Sequence, residues 1–147
     1  MSDSTFAAIT RGVLAGAAGT AVMTAAQTAY YKATGAEGST TPAEVGKRVI
    51  RGVLQREVSD DQTETLNTVM HWGYGSTWGT LYGIATRQPT LGLAFGTMVW
   101  GASLVELPAM QLSPPIWELK PSAIAPDLGF HLVYGIAVAA AHRALSD

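Results

Sequence analysis

The chain has 147 residues, 48% hydrophobic and only 14% charged, with no cysteine and a formal net charge of −2. The length suits one domain, and the missing thiols exclude disulfides and thiolate metal sites. The slightly acidic balance gives no case for nucleic acid as a partner.

The few charges are clustered. Asp, Glu, Lys and Arg are absent from residues 12–31, 65–86, 88–105 and 128–142, whereas about 25% of an average soluble domain is charged. A hydrocarbon core about 30 Å thick needs roughly 20 mostly apolar helical residues to cross it. A soluble bundle would instead carry charge on every turn of its outer faces. The expected fold is therefore all-α: a single membrane domain of four transmembrane helices and one amphipathic surface helix. The mean hydropathy of +0.19 is modest, because Gly, Ala and Thr dilute it, the residues membrane helices use where they touch.

The first predicted span covers residues 6–31. Gly12 and Gly16 sit four apart on a small-residue face that lets another helix approach closely. The segment has no basic n-region and no break before Tyr30-Tyr31-Lys32, so it does not read as a signal peptide. Residues 42–57 follow as a second helix. Thr41 suits its N-cap, Pro42 its first position, and Glu44 completes a capping box. Val45, Val49, Ile50, Val53 and Leu54 form an apolar stripe, with Lys47, Arg48, Arg51 and Arg56 on a basic face. That pattern suits a helix in the lipid headgroup region, or one packed over the mouth of the bundle.

The second span, residues 60–85, starts with Asp60, Asp61 and Glu64, where the helix dipole favours acids. It carries His71, Gly75, Gly79 and Gly83 at four-residue steps, hence on one ridge. Arg87-Gln88-Pro89 forms a tight connection to the third span, residues 90–112. Glu106 is the only carboxylate in that span; Pro108 follows it, and Ser113-Pro114-Pro115 ends the helix. Trp117 and Lys120 suit an interface. The fourth span, residues 127–145, opens at Pro126-Asp127 and carries His131, Gly135, Ala139 and Arg143 on one ridge.

Two phrases match across the chain. His71-Trp72-Gly73-Tyr74-Gly75 recurs as His131-Leu132-Val133-Tyr134-Gly135, and only three histidines exist in all. Gly12 to Gly16 resembles Gly92 to Gly96, although Gly19-Thr20 against Gly96-Thr97 is an equally good register. Two spans per unit predict parallel-topology hairpin repeats related by an axis along the membrane normal. His71 and His131 should then share one depth and face the bundle interior.

These motifs carry a resemblance. The run from Phe95 to Trp100, Val105-Glu106-Leu107-Pro108-Ala109, both H-x-x-Y-G phrases and Leu81-Tyr82-Gly83 look like the YagU-like family of small bacterial inner-membrane proteins. The resemblance implies a multi-pass location in a bacterial inner membrane and a link to acid resistance seen in one member. It supplies no catalytic residues.

Three readings of the polar groups stand side by side. His71 and His131 can fix helix packing by hydrogen bonds, typically worth under about 1–2 kcal/mol in membranes. They can join Glu106 in a proton or ion site, since a charged carboxylate at a span centre costs about 2.5–3.5 kcal/mol and should face the interior. Or, as histidines on facing helices of a bundle do, they can hold haem or a metal ion. No H-E-x-x-H or C-x-x-C-H element supports that third reading, so the sequence predicts neither a metal site nor a cofactor. No nucleotide-binding loop or Ser-His-Asp triad is present either, so the sequence yields no reaction and leans against an enzyme. The expected role is an accessory or scaffold subunit, partnered by the bilayer and by a second copy or a larger membrane complex. The basic residues divide into Arg11, Arg87 and Arg143 at one end and Lys32, Lys47, Arg48, Arg51, Arg56 and Lys120 at the other. The positive-inside rule places the second group in the cytoplasm.

Overall fold

The structure, a computed structural model, describes residues 4–85 and 92–147. The expected Arg87-Gln88-Pro89 connection and the first two residues of the third span lie outside them. The described residues form five α-helices and no strand: α1 (Thr5–Thr34), α2 (Thr41–Leu54), α3 (Asp60–Ala85), α4 (Gly92–Ala109) and α5 (Pro121–Ala144), with a 3-10 turn at Ile116–Glu118 before α5.

Local chemistry sets most boundaries. The Ser4 side chain accepts the Ala7 N–H to start α1, and Gly35, at φ 71°, returns its own N–H to the Tyr31 carbonyl to end it. The α4 end is a Schellman motif. Gln111, at φ 57°, donates to the Pro108 carbonyl, and Leu112 donates to that of Leu107. The third helix therefore stops at Ala109, short of residue 112 and of the Ser-Pro-Pro run. Conversely, α5 begins at Pro121 and takes in Pro126. Pro121 suits a first turn, while Pro126 lacks an N–H that would have reached only Ser122, so the loss stays local.

The second helix departs further from expectation. Thr40, not Thr41, is its N-cap, without a side-chain cap bond, and Glu44 pairs with Lys47 at 3.3 Å instead of closing a capping box. It ends at Leu54 because Gln55 turns left-handed and bonds back to the Arg51 carbonyl. Arg56 is thus outside the basic face. Ala43 and Gly46 are buried, Gly46 against Leu66 and Met70 of α3, while Val49, Val53 and Leu54 stay exposed. The helix rests on the bundle by its small residues and leaves most of its apolar stripe uncovered.

Among the described residues, two helices, α1 and α5, are long and apolar enough to cross a membrane. The other two long helices fall short of the four-span expectation for visible reasons. Acids open α3 and Gly and Thr crowd it, and α4 holds Glu106 and Pro108 within 18 described residues.

α1 packs between α3 and α5, α4 packs on α5, and α2 rests on α3. Gly12 lies over Gly79 and Gly16 over Gly75, so α1 and α3 run antiparallel; Gly92 over Gly135 and Gly96 over His131 make α4 and α5 antiparallel too. A Cβ on Gly16 would lie 2.5 Å from the Gly75 carbonyl oxygen, and one on Gly92 would lie 2.6 Å from that of Gly135. Backbone meets backbone at both seams, which only glycine permits. Gly83 extends the first seam to Ala8 and Gly12. Side chains close the ring between α3 and α4, with the Tyr82 and Phe95 rings 4.7 Å apart. Inside lie Ala15, Met23, Tyr82, Phe95, Val99, Tyr134 and Val138.

Threonine hydroxyls in the helices are disposed of locally. Thr20, Thr24, Thr28, Thr77, Thr80 and Thr97 each donate to the carbonyl four residues back. This spares an apolar setting any stray donor.

Candidate functional site

One end of the bundle, where α1 and α4 finish and α3 and α5 begin, gathers the polar side chains singled out in the sequence. The close Gly16–Gly75 and Gly96–His131 approaches fix α3 and α5 in register, which brings both histidines to this end. Their imidazoles are both half-buried.

Their partners differ. His71 Nε2 lies 3.2 Å from the Thr24 hydroxyl, whose single proton is already given to the Thr20 carbonyl at 2.8 Å. His131 Nδ1 lies 2.8 Å from the Asp127 carbonyl oxygen, an acceptor only, so Nδ1 carries the proton. Asp127 Oδ2 accepts the Trp100 indole N–H at 2.9 Å and leaves Oδ1 3.7 Å from His131. Two histidines at matching places in the sequence thus meet different partners, one a hydroxyl of another helix and one a carbonyl of its own helix.

The motif tyrosines part ways as well. Tyr134 is buried and its hydroxyl donates to the Gly75 carbonyl of α3 at 2.6 Å. Tyr74 stands at the α3–α4 seam, half-exposed, and donates to Glu106 Oε2 at 2.8 Å. Glu106 therefore does not face the bundle interior as expected. It occupies the last turn of α4, exposed, and bonds neither histidine. Among the described residues, no three His, Asp or Glu side chains converge as a metal would require.

Two grooves flank this end. A groove of about 490 Å³ runs along α3 past Met70, Tyr74, Thr77, Trp78 and Leu81, with Glu106 on its α4 wall. A second, of about 550 Å³, follows α1 along Ala21, Ala25 and Ala29, between Trp72 and Lys32. The sequence marked Tyr74 and Asp127 only as a motif member and a helix start and passed over Thr24, so their roles as partners were missed. Asp127 was findable, four residues before His131, but Thr24 and Tyr74 depend on which helices become neighbours.

The fold and site define an all-α bundle with glycine-lined seams, an apolar exterior and a polar cluster at one end. No family model matches the chain, and neither curated proteins nor solved structures give a match.

Proposed function

We propose that the chain is a multi-pass membrane protein without enzymatic activity that serves as a scaffold or accessory subunit, docking another helix on α1. The observation that carries the membrane reading is the exterior. Val13, Leu14 and Val22 of α1, Val69, Leu81 and Ile84 of α3, Leu93, Met98 and Val105 of α4 and Ile136 of α5 all face outward. Large apolar side chains on the outside of every long helix suit lipid, and exceed the scattered exposure of soluble surfaces. On this reading α3 and α4 also span, their Gly and Thr serving close packing.

The two halves are proposed as parallel-topology repeats. In support, Gly16 meets the Gly75 carbonyl and Ser76 Cα as Gly92 meets the Gly135 carbonyl and Ile136 Cα, keeping the 60-residue offset of the histidines. This pairs Gly16 with Gly92, one residue from the Gly19–Gly96 register. The bacterial inner-membrane location rests on the YagU-like motifs.

The docking role draws on the α1 groove, where Ala21, Ala25 and Ala29 offer small side chains at the spacing membrane helices use to meet. A Glu–His–His proton site draws less support, since the three groups share no hydrogen bond and each has another partner. Haem or metal ligation draws none from a converging donor set. Native mass spectrometry from membranes tests the docking role. The wild type should appear with a second copy or a partner subunit, and Ala25→Phe should appear alone. A wild-type monomer, or a variant equally associated, would overturn it.

A further inference from the structure

The groove between α3 and α4 has features that packing alone does not need. Glu106 is exposed on its wall in the last turn of α4, and among the described residues no basic side chain forms an ion pair with it. Its carboxylate accepts the Tyr74 hydroxyl at Oε2, and the residue lines the groove. Tyr74 and Trp78 stand edge-to-face beside it, ring centroids 6.1 Å apart. A carboxylate beside a Tyr and a Trp is a combination that can receive an organic ammonium, by charge and by cation–π attraction. The remaining lining, Val69, Met70, Gly73, Thr77 and Leu81, is apolar or small and follows one face of α3 for about 18 Å at helical rise. Gly73 carries no side chain to block it, and a Cβ there would meet nothing within 4 Å.

We propose that this seam binds amphiphilic ammonium cations. The ammonium sits against Glu106, Tyr74 and Trp78 at the polar end, and the hydrocarbon tail lies along Thr77 and Leu81 toward the middle of the bundle. The site rests on the membrane reading for its apolar surroundings but needs no partner protein, so its failure and that of the docking role are separable. Such a site selects by charge first and chain length second.

The test uses the full chain in nanodiscs of zwitterionic lipid, titrated with decyltrimethylammonium and, as a neutral amphiphile of equal chain length, decanol. Saturable binding of the cation should exceed that of decanol. Glu106→Gln should weaken it by roughly tenfold or more, and Trp78→Leu by several-fold. Glu106→Asp, keeping the charge, should recover part of the loss, and unchanged helical circular dichroism separates loss of site from loss of fold. Equal binding by wild type and Glu106→Gln, or equal uptake of cation and decanol, would overturn the proposal. So would binding abolished by Glu106→Asp as completely as by Gln.

Discussion

At the scale of single residues, the H-x-x-Y-G phrase is spelled twice and used differently each time. Its histidines have different partners, one bonded to a threonine of another helix and one to its own helix backbone. Its tyrosines reach a buried carbonyl in one copy and an exposed carboxylate in the other. Identical letters report a shared helix face, but partners come from neighbours that the phrase does not contain. The glycines are more predictable, because their role is steric. Adding a side chain at Gly16 drives Cβ into the α3 backbone, which cannot yield as a flexible side chain would. Gly16→Val should therefore destabilise the bundle by about 1–3 kcal/mol or more, the usual scale of overpacking. Gly101→Ala, at a helical position with open space around it, should be neutral or slightly stabilising. Thermal or detergent unfolding of the two variants reads the contrast, and equal effects would contradict the seam.

At the scale of elements, hydrophobic pattern and punctuation foretold four long helices and one short one, and the ends were where they erred. Proline stood for a boundary at residue 126, yet a proline within the first turns interrupts little, so α5 starts five residues earlier. The end of α2 had no such sign, because Gln55 takes the left-handed geometry usually left to glycine. What holds the chain beyond that turn is the Arg51–Glu57 pair at 2.7 Å. Hydrogen bonding from the guanidinium keeps the Glu57 carboxyl below its ordinary range. A lowered folded value means the contact contributes fully above the unfolded carboxyl range, about pH 4.3, and is lost as pH falls through the lowered value. Amide exchange at residues 55–57, corrected for intrinsic rate, should accelerate in that acid window, while Glu57→Gln should exchange fast at every pH. Protection unchanged by acid would contradict the pair's role.

At the scale of the whole molecule, the account rests on four helices with alternating direction. Charge-free stretches made the long helices legible, since each run is long enough for a helix and carries no charge to interrupt it. The pairing of helices was legible only in part. Small-residue ridges marked which faces touch, but not that α1 would stand between α3 and α5, nor that α3 and α4 would meet through aromatic rings and a Tyr–Glu bond instead of glycines. Glu106 was misplaced for that reason. It lies at the histidine end of the bundle beside Tyr74, but exposed at the α3–α4 seam instead of facing the interior.

The antiparallel order puts residues 35–40, 55–59 and 110–120 at one end of the bundle and residues 4 and 145–147 at the other. Because the native chain has no cysteine, single substitutions report sidedness cleanly. Ser39→Cys, Ser59→Cys and Glu118→Cys should react with a membrane-impermeant maleimide from one side of sealed vesicles only, and Ser4→Cys and Ser146→Cys from the other side only. Labelling of both sets from the same side, or recovery of the chain free of membranes, would contradict the four-span bundle.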